Sequence, residues 1–256
     1  ALHDLHHAEQ IKRIWKESLG RYGVRKVWQQ LKREGYVIAR CTVARLMQKL
    51  GIQGVWRGKN KQTTRSRDDQ KRADDLVKRN FNADHPDQLW VADFTYIQTH
   101  SGWVYTAFII DVFSRAIVGW KVSTRMNTDM VLDALEQALH DRGMPKNVIH
   151  HSDRGVQYLS IRYTNRLEAA NLRASVGTTG DSYDNALAET VNGLYKTEVI
   201  EYLKADWQGL ADVQLATLNW VDWFNKERVH SALGYVSPFE FEAMYYDKIN
   251  PLGQVA

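Results

Sequence analysis

Cysteine is almost absent from this sequence, and long apolar runs are missing altogether. A single cysteine among 256 residues, Cys41, excludes an internal disulfide and any multi-cysteine zinc site, and we expect it to be a small buried residue. The sequence also lacks a signal peptide and an apolar stretch of membrane-spanning length. We therefore expect a cytoplasmic protein without membrane contact. Because residue 1 is Ala rather than Met, we also expect a processed chain or a piece of a longer one.

The charge of the chain is divided unequally along its length. Residues 1–80 carry 20 Lys and Arg against 8 Asp and Glu, whereas residues 81–256 carry 14 against 22, which gives +12 and −8. This split predicts a basic, nucleic-acid-binding arm joined to a domain whose acidic excess includes a metal site. A solvated charged surface on both halves is the alternative, but it does not explain why the sign changes where the sequence pattern changes.

Three short helices are predicted near the start of the chain, at residues 8–19, 23–34 and 39–50. Apolar residues recur there at helical spacing, and a glycine follows near each end. Three helices of this size are compatible with a helix-turn-helix domain over residues 1–53, whose last helix enters the major groove of DNA. That helix carries the basic residues Arg40, Arg45 and Lys49. Spacing alone leaves DNA binding and a plain helical bundle about equally open, because helical triplets are common.

Residues 54–83 are polar and interpreted as a basic linker. Their first basic residues are Arg57, Lys59 and Lys61. Such a segment can lie along DNA phosphates or serve as a solvated connector, and composition favours neither.

The pattern from residue 84 onward predicts a mixed α/β domain. Strands are expected at 89–99, 103–112, 115–123, 147–151 and 173–176, and helices at 128–142 and 161–170. Three consecutive strands followed by alternating helices and strands indicate a mixed sheet flanked by helices. Beyond residue 204 the sequence is again helical, and we expect Trp220, Trp223 and Phe224 to be core residues.

Two aspartates occupy positions where a charge is costly. Asp93 lies within the apolar run LWVADFTYI, and Asp153 ends the strand-like segment NVIHHSD. A carboxylate in or at the end of a buried strand needs a partner or a metal ion. Asp111 also ends an apolar strand, but Ser114 and Arg115 follow it, and a local turn or ion pair is the better interpretation.

A third acidic position lies on a helix that we predict to be continuous over residues 183–199. Its polar residues recur at intervals of four, three and four, so they share one face. They are Asn185, Glu189, Asn192 and Lys196. Taken alone, this helix is most simply a solvated helix with one polar side.

Asp93, Asp153 and Glu189, with 35 residues between the last two, resemble the Asp, Asp, Glu pattern of DDE transposases and retroviral integrases. The resemblance extends to LWVADFTYI, DVFSRAIVGW, HSDRGVQY and DSYDNALAET, which are similar in order and spacing to the second-reading-frame transposase of bacterial insertion elements of the IS-three family. It covers about residues 22–241. It implies a ribonuclease H-like catalytic core at 84–204, preceded by the helix-turn-helix domain and followed by a helical extension at 205–256 that packs on the core.

This resemblance implies a metal-dependent phosphoryl transfer on DNA. Two Mg²⁺ ions, for which Mn²⁺ can substitute, would be held by Asp93, Asp153 and Glu189. Lys196, seven residues after Glu189, is similar to a DNA-contacting lysine of integrases. Arg154 and Asn185 are further candidates for DNA contact, although supporting roles beside the metal ligands are the stronger interpretation.

The expected partners are the terminal inverted repeats of the element and target DNA, bound by a homo-oligomer. We expect the protein to be associated with the bacterial nucleoid. Two other classes remain as alternatives: a ribonuclease H-like nuclease and a non-catalytic DNA-binding regulator. The basic arm argues against a bare nuclease, and the intact acidic triad argues against a regulator.

Overall fold

The computed structural model describes residues 2–56, 82–153, 156–176, 186–203 and 206–249. In the first of these ranges, three helices pack around a shared apolar centre. They are α1 (Leu2–Glu17), α2 (Val24–Arg33) and α3 (Arg40–Lys49). Their buried apolar residues include Ile11, Ile14, Val27, Leu31, Val43 and Leu46. The three predicted helices are confirmed, although α1 begins six residues before its predicted start. Cys41 is exposed, so the expectation that it is buried was wrong.

A five-stranded mixed sheet forms the centre of the remaining chain. Its strands are β1 (Leu89–Thr99), β2 (Gly102–Asp111), β3 (Ile117–Ser123), β4 (Ile149–Ser152) and β5 (Arg173–Val176). The spatial order is β3-β2-β1-β4-β5. β1, β2 and β3 pair antiparallel, whereas β4 runs parallel to both β1 and β5. β1 and β4 are therefore neighbours in the sheet, although two other strands lie between them in the sequence.

Two apolar layers cover the sheet. Helices α4 (Thr128–Asp141) and α5 (Ile161–Ala169) pack on one face, around Trp90, Ile109 and Leu135. Asn127 caps α4 by accepting a hydrogen bond from the backbone N–H of Met130 at 3.2 Å. Helices α6 (Ala186–Tyr195) and α7 (Leu210–Lys226) contribute to the other layer, which includes Phe108 and Trp220.

The helix that carries Glu189 is not continuous α-helix as predicted for residues 183–199. The part described as α-helix ends at Tyr195, and a π-helix follows over Lys196–Glu201. This π-helix buries Thr197, Glu198 and Val199 in succession. Residues 183–185 lie outside the described ranges.

Residues 210–249 are mainly helical and contact both the sheet layer and the N-terminal helices. They contain α7, a 3₁₀ turn (Ser231–Leu233) and α8 (Pro238–Ile249). Trp220, Trp223 and Phe224 are buried, as expected for core residues. No helix within the described residues is both long and apolar enough to span a membrane.

The N-terminal helices are docked on the sheet-containing part of the chain. The buried hydroxyl of Tyr22 donates to the backbone carbonyl of Glu227 at 3.2 Å and accepts from the N–H of Val229 at 2.8 Å. Gly20 has φ +75°, and a Cβ at this position would lie 2.0 Å from the hydroxyl oxygen of Tyr202. A side chain at residue 20 would therefore strain the backbone and displace the Tyr202 ring.

Candidate active site

The register between β1 and β4 brings two predicted site residues to one edge of the sheet. Ala92 is paired with Ser152 in parallel register, and the next residues along the two strands are Asp93 and Asp153. Because parallel strands end in the same direction, the two carboxylates meet where the pairing stops. Pairing of β1 with β4 ends at Ala92, whereas β1 continues beside β2 to Thr99.

Asp93 is a partly buried carboxylate held by two hydrogen bonds. Its Oδ1 accepts from the backbone N–H of Phe94, and its Oδ2 accepts from the side-chain amide of Asn192, both at 2.8 Å. Burial raises the pKa of Asp93 to about 8, and the negative charges of Asp153 and Glu189 add to the rise, whereas the two hydrogen bonds oppose it. The charges of Asp153 and Glu189 therefore both act on Asp93.

Glu189 approaches this edge from the first turn of α6, which packs against β1. Its side chain is exposed, while Ala188 and Val191 on the same helix are buried in the apolar layer. The apolar side of α6 thus fixes the helix, and its polar side presents Glu189 and Asn192 toward Asp93.

The type of ligand at this edge suits a hard divalent cation. Carboxylate oxygens are the preferred ligands of Mg²⁺ and Mn²⁺, and a cation would relieve the repulsion that raises the pKa of Asp93. Within the described ranges, however, no group of three or more His, Cys, Asp or Glu side chains is arranged to hold a metal ion. The fit of these residues to such an ion rests on the chemistry of the carboxylates and on the charges of Asp153 and Glu189 acting at Asp93.

Two residues near Asp93 carry roles that the sequence pattern alone did not assign. Asn192 was visible as part of the polar helix face, but its bond to Asp93 required the structure. Tyr158 is buried, and its hydroxyl has no hydrogen-bond partner among the described residues. Burial, the neighbouring Tyr163 and the charges of Asp93 and Asp153 raise the pKa of Tyr158 well above its usual value. Its hydroxyl therefore remains neutral beside the acidic pair.

Asp111 has a local structural role, as its surroundings in the sequence indicated. Its buried carboxylate accepts from the N–H and the hydroxyl of Ser114 at 2.7 and 2.9 Å, and from the N–H of Asp87 at 2.8 Å. These bonds hold the turn between β2 and β3.

The predicted DNA-binding residues within the described ranges lie on two surfaces. Arg40, Arg45 and Lys49 are exposed on α3, where Arg45 also pairs with Asp4 at 3.1 Å. Lys196 begins the π-helix, and its ammonium lies 4.8 Å from the centre of the Tyr96 ring. The other predicted residues lie outside the described ranges: Arg57, Lys59, Lys61, Arg154 and Asn185.

Comparison with protein families assigns both parts of the chain. Residues 3–60 match an HTH-like domain, and residues 83–182 and 170–238 match integrase core domains. Among solved structures, the catalytic core domain of HTLV-2 integrase aligns with a TM-score of 0.50 and 18% identity over 63% of this chain and 99% of that chain. A chain of a simian T-cell lymphotropic virus intasome aligns with a TM-score of 0.54 and 14% identity, over 91% and 74%. At these identities the likeness shows the fold, a retroviral integrase-like core.

Relatives of known family are much more similar in sequence. The transposase for insertion sequence element IS629 of Shigella sonnei is 56% identical over 94% of this chain and 80% of its own length. A putative transposase for IS986/IS6110 of Mycobacterium tuberculosis is 52% identical over 93% and 87%. The transposase InsF for IS3A of Escherichia coli K12 is 34% identical over 88% and 78%. The chain therefore belongs to the IS3 family of insertion-element transposases, with an HTH-like domain before an integrase core.

Proposed function

We propose that this transposase cuts and joins DNA at a site formed by Asp93, Asp153 and Glu189. This site lies at the edge of the sheet. The observation that supports this proposal is the electrostatic coupling of the three carboxylates where β1 and β4 diverge. Mutual repulsion of this kind favours the binding of a cation between the acidic groups. An integrase fold implies the use of divalent metal ions. We propose specifically that two such ions bind at this site.

The residues of the chain have distinct roles in this reaction. Divalent ions, when bound, would activate the attacking oxygen and stabilise the leaving oxygen of the DNA phosphate. Asp93, fixed by Phe94 and Asn192, would contribute to holding both ions, while Asp153 and Glu189 would each hold one. No side chain needs to form a covalent intermediate. Water attacks to cut the end of the element, and the freed 3′-hydroxyl then attacks the second strand or the target.

DNA binding is assigned to two surfaces. The exposed basic residues of α3 suit the recognition helix of an HTH-like domain and would read the terminal repeats of the element. Lys196, on the helical segment that follows Glu189, would contact the phosphates near the reacting bond. Joining two ends of one element requires two end-binding domains, so we propose that a homo-oligomer assembles on the DNA.

A strand-transfer assay with labelled element ends, supercoiled target and Mg²⁺ tests this function against its two alternatives. A transposase produces labelled end–target joints that disappear when EDTA replaces the metal. A nuclease produces cuts without joints, and a regulator binds the ends without changing them. Either of the last two results, with correctly folded protein and paired ends, contradicts the proposal.

A further inference from the structure

A pocket of about 290 Å³ lies on the flank of the helix that carries Glu189. It is lined by parts of the chain that are distant in sequence: α2, the turn between β2 and β3, α6, and the segment that follows α7. Thr190, the residue after Glu189, contributes to its wall. The pocket therefore adjoins both the docked N-terminal domain and the catalytic helix.

The wall of this pocket is mainly apolar. Leu187, Val191 and Leu194 face it from α6, and Phe224 faces it from α7. These side chains form a surface suited to a flat, weakly polar group. The volume is near the lower limit of ligand pockets, which begin at roughly 300 Å³. It therefore limits the occupant to a small unit.

Three cationic residues also line the pocket, and no acidic residue lines it among the described residues. They are Lys26, Arg115 and Arg228. Arg228 is neutralised by Glu198, with which it forms a buried ion pair at 2.6 Å. Lys26 and Arg115 form no ion pair with any carboxylate in the part of the chain that the structure describes. Two basic groups at the pocket thus lack a close counter-ion.

Arg115 is held in the pocket wall at some energetic cost. It has φ +64°, a left-handed conformation that is uncommon for a residue with a side chain. Its N–H donates to the carbonyl of Asp111 at 2.9 Å, which fixes the turn. Asp111 attracts Arg115 at longer range, but its carboxylate is already bound by Ser114 and Asp87.

Lys26 lies where the docked domain meets the core. Its ammonium is 5.0 Å from the centre of the Tyr22 ring. Burial and the charge of Arg228 lower the pKa of Lys26 to about 7, although the charge of Glu198 opposes this change. An anion bound beside Lys26 would raise that pKa again and keep the ammonium protonated.

We propose that this pocket binds one nucleotide unit, with its base against the apolar wall and its phosphate at Lys26 and Arg115. A flat base and an adjacent anion match the two kinds of surface that the pocket combines. The pocket adjoins the catalytic helix of an enzyme that acts on DNA, so the expected source is a nucleotide extruded from the duplex near the cut. A free mononucleotide has the same chemistry and is the second source to be tested. The inference rests on the proposed DNA binding and is independent of the acidic triad.

The test uses the full chain in EDTA, so that no strand is cut. The adenine analogue 2-aminopurine is placed at successive positions of the terminal repeat, because its fluorescence rises when it leaves the base stack. Binding of the same duplexes is followed by fluorescence anisotropy. Deoxyadenosine 5′-monophosphate is titrated separately by calorimetry.

Two substitutions remove the cations while keeping most of the side-chain volume, namely Lys26→Met and Arg115→Gln. Lys32→Met is the matched control, since Lys32 is exposed on the same helix and does not line the pocket. We expect a rise in fluorescence at one position with the wild-type chain and with Lys32→Met, and its loss in the two pocket variants with unchanged melting temperatures. Mononucleotide binding that both pocket variants abolish, without a signal from DNA, supports the same pocket with the free nucleotide as its source.

The inference is overturned if the duplexes bind but no position brightens and the mononucleotide does not bind. It is also overturned if each signal persists in both pocket variants. These outcomes differ from failure of the proposed function, in which the duplexes do not bind at all. In that case the calorimetric titration still tests the pocket.

Discussion

The side-chain amide of Asn192 donates a hydrogen bond of 2.8 Å to Oδ2 of Asp93. It joins α6 to the central strand β1, three residues after Glu189 on the same helix. The bond fixes one oxygen of Asp93, while the N–H of Phe94 fixes the other. Asp93 is therefore oriented before any ligand binds, which lowers the cost of forming the reactive arrangement.

Replacing Asn192 by Ala should impair the reaction more than it impairs folding. Partners of metal-binding residues typically contribute about 10- to 100-fold to metal affinity or activity. We therefore expect strand transfer by Asn192→Ala to fall by about that factor, measured as initial rates at several Mg²⁺ concentrations. Thr197→Ala is the matched control, because the Thr197 hydroxyl donates to the nearby carbonyl of Gly193 at 2.8 Å and not to an acidic side chain among the described residues. Equal losses in both variants would show that Asn192 acts through helix stability alone.

The ion pair between Glu198 and Arg228 should matter for the stability of the fold. Both side chains are buried, and the Trp220 indole also donates to Glu198 at 3.1 Å. Glu198→Gln leaves the Arg228 charge buried without its partner, so we expect a loss of about 3–5 kcal/mol in the free energy of unfolding. Asp133→Asn removes an exposed pair with Lys121 and should cost about 0–1 kcal/mol. Similar losses of unfolding free energy in the two variants, measured by urea unfolding, would contradict a stabilising role for the buried ion pair.

Buried His150 and half-buried His230 should make the fold less stable in mild acid. Burial lowers the pKa of His150 to about 4 and, with the charges of Arg228, Lys26 and Arg115, that of His230 to about 2. Unfolded histidine has a pKa of about 6.5, so below that pH the unfolded chain binds protons that the native chain does not. Each histidine then lowers the unfolding free energy by about 1.4 kcal/mol per pH unit.

Urea unfolding between pH 6.5 and 5 measures this effect. His150→Gln keeps an acceptor for the Tyr163 hydroxyl, which lies 3.0 Å from His150. It should reduce the slope of unfolding free energy against pH by about 1.4 kcal/mol per pH unit, the equivalent of one proton. His140→Gln, at an exposed position of α4, is the control and should leave the slope as it is. An unchanged slope in His150→Gln would mean that His150 binds a proton as readily in the native protein as in the unfolded chain.

Lys196 should contribute one phosphate contact. Lys196→Ala is expected to weaken binding of element ends and to reduce the slope of log affinity against log salt by about one unit. The melting temperature should change little, since the contact with Tyr96 is worth only about 0.5–1 kcal/mol at an accessible site. Lys226→Ala provides the comparison because Lys226 is exposed on α7 and pairs with Asp222 at 2.5 Å. The same effect from both substitutions would reduce Lys196 to general surface charge.

The convergence of Asp93 and Asp153 follows from the strand order of the ribonuclease H-like core, which the family resemblance implied. Apolar runs with turn residues between them define β1 and β4, and adjacency of these strands places both aspartates at one edge. The helical spacing likewise defines α6 and the side on which Glu189 lies. These elements depend on local periodicity, which a single sequence displays.

The features that escaped prediction depend on contacts between distant segments. The π-helix after Tyr195 carries Glu198, whose partner Arg228 lies 30 residues further on. Docking of the N-terminal domain depends on Tyr22 and its bonds to residues 227 and 229, which no periodicity reveals. The pocket likewise combines residues from α2 and α6. Exposure of Cys41 depends on the side of α3 that the first two helices leave open.

The acidic triad is tested most directly by strand transfer after removal of one charge at a time. Asp93→Asn, Asp153→Asn and Glu189→Gln each keep the shape of the side chain and remove a metal-binding oxygen charge. We predict that each lowers the Mg²⁺-dependent rate by about 10³-fold or more, the equivalent of several kcal/mol of transition-state stabilisation, while binding of element ends is retained. Glu201→Gln, an exposed position on the following π-helix, should keep the wild-type rate. A wild-type rate in any of the three triad variants would contradict the assignment of that residue.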